Sequence, residues 1–173
     1  MFKSIVVPVD TADIALARLA IDSAVKLADP GHSMLTLIHV VPVMPVAMMD
    51  TMPISLEGEI AEQARATLAD LARDIDLPGG QITVVVRIGG VYHEVLAIAE
   101  EQRADLIVIG SHQPSVATYL FGSDASSIVS QAPCSVMVTR EAKPVEVAET
   151  ADAETTKNFS SVDAAVQAAQ QAE

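Results

Sequence analysis

The sequence is poor in cysteine, aromatic residues and positive charge. Cys134 is the only cysteine, so no disulfide can form within the chain, and its apolar neighbours read as the setting of a small buried hydrophobe rather than a nucleophile. There is no tryptophan and only 3% of residues are aromatic, while half are apolar. A core must therefore be built from Val, Ile, Leu, Ala and Met, a mix that suits parallel strands covered by helices. Ten Lys and Arg stand against 23 Asp and Glu, a formal charge of -13. Nucleic-acid backbones and anionic lipid call for a basic footprint, so nucleic-acid partners are excluded.

Long hydrophobic runs are also missing. The apolar start, "MFKSIVVPVDTAD", meets Pro8 and Asp10 too soon for a signal-peptide core. The stretch 33–49 is under spanning length and carries His39, Pro42 and Pro45, so no membrane insertion and a cytoplasmic location are expected. Catalytic signatures are absent as well. No G-x-x-x-x-G-K-[ST], no G-x-G-x-x-G after the first strand, no H-E-x-x-H and no G-x-S-x-G occurs. The histidines at 32, 39, 93 and 112 lack metal-ligand spacing, which makes a demanding catalysed reaction a poor reading.

What is present is an alternation of short apolar runs with helical patterns. Residues 5–9, 34–41, 82–88, 105–110 and 134–139 read as strands, and 12–27, 56–75, 91–102 and 123–131 as helices, stopped by Asp29-Pro30-Gly31, Pro78-Gly79-Gly80 and Ala132-Pro133. This order predicts an α/β fold, an open five-stranded parallel sheet in the order 3-2-1-4-5 with helices on both faces. The loop 42–55 holds three prolines and four methionines. It could be a lid, a partner surface or plain loop packing. Residues 141–173 carry seven acids against Lys143 and Lys157, and read as a flexible acidic tail, with a short helix conceivable after Ser160.

Right-handed crossovers place the loops that follow the strands on one edge of such a sheet, where ligands bind at the switch in strand order. Pro8, Val9 and Asp10 end the first strand there, Val40 and Val41 the second, and Ile109 and Gly110 the fourth. Gly122 and Ser123 open a helix whose free N–H groups and dipole could cradle phosphate. They could equally be a tight turn and an ordinary N-cap. Asp10 could contact ribose or start the turn into the first helix, and His112 could meet phosphate or solvent. His39, inside an apolar strand, reads as a satisfied core histidine.

The segments "IVVPVD", "HVV", "ADLIVIGSH" and "GSDASSIVSQAPCSVMVTR" together resemble the universal stress protein family, closest to its UspF-type branch, over residues 1–140. The resemblance implies a Rossmann-like, adenine nucleotide alpha hydrolase-like domain over 1–140 that binds ATP or AMP, with or without Mg, and acts as a regulatory switch in stress responses. It further implies a homodimer paired through the fifth strand and a protein partner not yet known. Carried over by position, it puts Pro8 and Asp10 on the nucleotide with Asp10 toward ribose, Val40 on adenine, Ile109 and Gly110 on base and ribose, and Gly122 and Ser123 on phosphate. Asp124 stands where the family uses a main-chain N–H.

The family's strand-four pattern is G-x-x-G, nine residues, then G-[ST]. Here Gln113 replaces the second glycine and eight residues, 114–121, follow it. The UspF-type branch shares the shortened Ser-His-x-Pro form, usually with Arg where Gln113 stands. Glutamine donates a hydrogen bond without charge, so a weaker hold on phosphate is expected. Hydrolysis or serine autophosphorylation would be slow at most, with no general base evident near Ser123. The alternative is a nucleotide-free interaction module of the same fold, acting through the Met-rich loop or the acidic tail.

Overall fold

The computed structural model describes residues 1–43, 56–110 and 123–140, all within one compact unit, Met1–Glu141. The element order is β1 (Ser4–Pro8), α1 (Ile14–Leu27), β2 (Met34–Pro42), α2 (Leu56–Arg73), β3 (Gln81–Gly89), α3 (Val91–Glu101), β4 (Leu106–Gly110), α4 (Ser123–Gln131) and β5 (Ser135–Thr139). The five strands form one parallel sheet in the order β3-β2-β1-β4-β5, as the alternation of apolar runs and helical patterns predicts. No helix among the described residues is long and apolar enough to cross a membrane.

Side chains alternate across a strand, and the apolar runs therefore fill two layers at once. On one face Ile5, Val7, Leu35, Leu37, Leu106 and Val108 pack against Ala17, Ala20, Ile21 and Ala24 of α1 and Leu68 and Leu71 of α2. On the other, Val6, Ile38, Val40, Ile107 and Ile109 meet Val95, Ile98 and Ala99 of α3 and Ile128 of α4. Burying each of the larger side chains stabilises the fold by about 1.5–3 kcal/mol. The alanines of α1 let that helix lie close to the sheet without χ freedom to lose.

The amino edge of the sheet is fastened by polar groups. The Asp105 carboxylate accepts from the Lys3 N–H at 2.8 Å and the Ser4 N–H at 3.0 Å, while its own N–H donates to the Ser4 carbonyl at 2.9 Å. These three bonds hold the starts of β1 and β4 together. Beside them the Thr36 hydroxyl, fully buried, donates to Gln102 Oε1 at 2.6 Å, and Ser4 Oγ donates to the Gln102 carbonyl at 3.2 Å. The turns at this edge rely on Gly31 and Gly79, both at positive φ, and a Cβ on Gly79 would lie 2.8 Å from the Gly31 Cα. The close approach requires glycine at 79, while at 31 it is the positive φ that favours one.

Element ends differ from the sequence expectation in instructive ways. α1 begins at Ile14 rather than two residues earlier, because Asp13 caps it and accepts from the Leu16 N–H at 3.0 Å. Cys134 lies just ahead of β5, partly buried against the second layer. Its surroundings, burial first and the Asp105 carboxylate second, push its thiol above the ordinary range, which keeps it in the unreactive protonated form.

Because Asp105 supplies both oxygens to backbone donors at the edge of the core, Asp105→Ala is expected to lower stability by about 1–3 kcal/mol. Urea denaturation would register this as a lower midpoint at an unchanged slope. An unmoved midpoint would show that water replaces the carboxylate at no cost.

Candidate functional site

β1 lies between β2 and β4, and its two ladders have different lengths. Toward β2 the pairing runs from Ser4↔Met34 to Pro8↔Ile38, and toward β4 it covers only Ile5↔Leu106 and Val6↔Ile107. The direction of the backbone groups explains why. The Lys3 carbonyl and the Val9 N–H bond to β2, at 2.7 and 2.8 Å, and the Ser4 carbonyl faces β4. Odd-numbered residues of β1 therefore serve β2 and even-numbered ones serve β4. Pro8 is even-numbered and has no N–H to offer β4. The pairing of the two strands thus stops short of their carboxyl ends and leaves a gap in the ladder where the strand order reverses.

The gap is a cleft of about 360 Å³, within the size range of small-molecule sites. Pro8, Val9 and Asp10 line it from β1 and the turn beyond, Ile38, His39, Val40 and Pro42 from β2, and Ile109 and Gly110 from β4. Asp13, Leu16 and Ala17 of the α1 region, Val91 and Val95 of α3 and Asp124 of α4 complete the lining. Most of the lining is apolar, and its carboxylates come from Asp10 and Asp13 around the turn after β1 and from Asp124 at the start of α4, with His39 on β2 the other polar group.

Asp10 turns the chain out of β1. Its Oδ1 accepts from the Ala12 N–H at 2.9 Å and its carbonyl from the Asp13 N–H at 3.1 Å, an Asx turn of the kind aspartate favours. Both roles weighed for Asp10 are thus compatible: one carboxylate oxygen shapes the turn, and Oδ2 has no partner among the described residues. His39 is half-buried, with Nδ1 2.9 Å from the Val9 carbonyl. A carbonyl can only accept, so Nδ1 carries the proton and Nε2 of the neutral ring is left as an acceptor. The histidine is satisfied, as its apolar setting suggests, and it also lines the cleft.

Gly110 ends β4 against α1. A Cβ there would stand 2.9 Å from Leu16 Cγ and 3.0 Å from the Leu16 carbonyl oxygen, so the glycine is required by the crossing of strand and helix. Next to it the Thr139 hydroxyl of β5 donates to the Ile109 carbonyl at 3.2 Å. α4 starts at Ser123 with Asp124 in its first turn, where a carboxylate complements the helix dipole.

Of the site residues expected from sequence, Pro8, Asp10, Val40, Ile109, Gly110 and Asp124 line this one cleft. Ser123 is placed by the α4 backbone, while His112, Gln113 and Gly122 lie outside the described residues, as does the Met-rich loop from residue 44. Sequence reasoning missed Asp13, Leu16, Val91 and Val95. Asp13 had a legible signal, an N-cap residue directly before the apolar Ile14. The other three look like ordinary core positions until the helices are in place. Among the described residues no group of His, Cys, Asp or Glu side chains is placed to hold a metal ion.

A doubly wound parallel sheet with a crevice at its switch point defines the class: a Rossmann-like α/β protein. The chain belongs to the universal stress protein family, whose family profile matches residues 1–140. It is similar to Universal stress protein G of Shigella flexneri, 34% identical over 143 residues that span 81% of this chain and 100% of that protein. Among solved structures it is similar to MJ0577 of Methanocaldococcus jannaschii, with TM-score 0.66 at 18% identity over 83% of this chain and 99% of the other. A universal stress protein in complex with cAMP gives TM-score 0.54 at 19% identity, covering 80% and 97%. An Arabidopsis thaliana family member with AMP bound gives 0.56 at 14%, covering 85% and 97%.

A side chain at residue 110 must displace Leu16 or the α1 backbone. Gly110→Val is therefore expected to destabilise the fold by about 1–3 kcal/mol through overpacking. Thermal unfolding followed by circular dichroism would show a lower Tm. An unchanged Tm would mean that α1 shifts away without resistance.

Proposed function

We propose that the chain binds an adenine nucleotide, ATP or AMP, in the cleft between β1 and β4, and that occupancy biases a conformation read by a partner in a cytoplasmic stress response. The observation that carries this reading is the cleft itself. Its apolar walls, Val40 and Ile109 among them, suit a purine, and Asp10 offers beside it a carboxylate oxygen with no partner among the described residues, as a carboxylate does for ribose hydroxyls in other nucleotide folds. Two family structures solved with cAMP and with AMP support the same reading. In this proposal Pro8, Asp10, Val40, Ile109 and Gly110 hold the nucleoside, and His112, Gln113, Gly122, Ser123 and Asp124 surround the phosphates, with or without Mg. Nucleotide-dependent signalling, not turnover, is the proposed role.

We further assign residues 1–140 to the nucleotide-binding domain and residues 141–173 to an acidic tail that serves protein contacts. Two copies pair through the outer edge of β5. Among the described residues that strand has no partner on its far side in the sheet, and Met137 on it and Val129 on α4 are exposed apolar side chains.

Native mass spectrometry of protein purified without added ligand, followed by calorimetric titration with AMP and with ATP plus magnesium, tests the nucleotide. A co-purified adenine nucleotide or saturable binding is expected; no adduct and no heat at millimolar concentrations would refute the reading and favour the nucleotide-free interaction module. Sedimentation at micromolar concentration is expected to give a dimer that Met137→Asp dissociates. A wild-type monomer would remove the β5 pairing.

A further inference from the structure

We propose that this cleft selects adenosine compounds of low phosphate charge and disfavours free ATP, with Asp124 as the specificity-determining residue. The inference rests on the nucleotide reading above and asks which member of the class the site takes. Three carboxylates, Asp10, Asp13 and Asp124, line the cleft, and no described lining residue is Lys or Arg. In the sequence, residues 44–55 hold Asp50 and no Lys or Arg, and residues 111–122 hold His112 and no Lys, Arg, Asp or Glu. Arg87, near the carboxyl end of β3, is engaged by Glu101 at 2.7 Å.

The three carboxylates differ in what they already do. Asp13 is committed to the N-terminus of α1 and Asp10 to its turn. Asp124 sits in the first turn of α4, which is the helix end a phosphate chain would need for its N–H groups and dipole. A fixed carboxylate there already complements the positive end of the dipole and repels an incoming polyanion. Each additional phosphate charge thus meets negative charge among described lining residues that include no Lys or Arg, with Arg140, just after β5 at the same edge, outside that lining, while the nucleoside end meets apolar walls that are indifferent to charge. Adenosine, a cyclic monophosphate and AMP carry progressively more charge, and free ATP the most.

Calorimetry on the full chain with adenosine, AMP and ATP, in EDTA at low ionic strength, tests this together with Asp124→Asn, which keeps shape and a helix-capping oxygen while removing the charge. Adenosine is expected to bind at least as tightly as AMP and about tenfold or more tighter than free ATP, a ratio set by unscreened like-charge repulsion. In Asp124→Asn the ratio of ATP to adenosine dissociation constants is expected to fall several-fold. ATP binding as tightly as adenosine to the wild type, or an unchanged ratio in the variant, would overturn the selectivity while leaving the nucleotide site standing. Failure of all three compounds to bind would overturn the nucleotide reading, and the selectivity with it.

Discussion

A missing amide opens the candidate site. In a central strand of a parallel sheet every backbone donor has a neighbour to serve, and at Pro8 the donor that would face β4 does not exist. The ladder between β1 and β4 has already ended at Val6 and Ile107, with no further ladder pair beyond it. On the other side β1 stays paired with β2 as far as Ile38. The crevice at the switch point is thus a property of backbone chemistry first and of side chains second. Helices α1 and α3 then frame it from the two faces, because the apolar alternation of β1, β2 and β4 commits one helix to each face there.

The framing sets conflicting demands on a few residues. Gly110 lets β4 run up against Leu16, so the backbone of α1 comes close to the strand end. Asp13 must cap α1 at that place, and Asp10 must turn the chain toward it. The turn and the cap both use carboxylates, and both carboxylates end up in the cleft. The acidity of the mouth therefore follows in part from how the chain leaves β1 for α1. Only Asp124, on a different element, adds negative charge there without a comparable duty to the β1–α1 connection.

The fold was legible because its signals are local and redundant. Five apolar runs of strand length, separated by helical spacing and Gly or Pro stops, allow few alternatives to a parallel sheet. Strand-end residues such as Pro8, Asp10, Val40, Ile109 and Gly110 could be assigned to one edge for the same reason. Legibility failed where a residue serves two purposes. His39 reads as a core residue from its neighbours, and nothing local tells that its strand position borders a gap. Val95 sits on a helix face that periodicity marks as buried, and only the crossing of helix and strand shows that it also forms a wall, as does the half-buried Leu16. The cap after β1 was missed for a simpler reason: periodicity alone does not say whether Ala12 or Ile14 starts the helix, and the N-cap signal of Asp13 is what decides it.

The polar fastening of Asp105, Ser4, Thr36 and Gln102 lies wholly at the amino edge, opposite the cleft. Cooperative protection against opening is accordingly concentrated where the chain enters β1 and β4, and the lips of the crevice belong to the less protected end of the same strands. The two edges therefore carry separate constraints. One is constrained by folding, whereas the other can exchange its loop residues while the sheet remains the same.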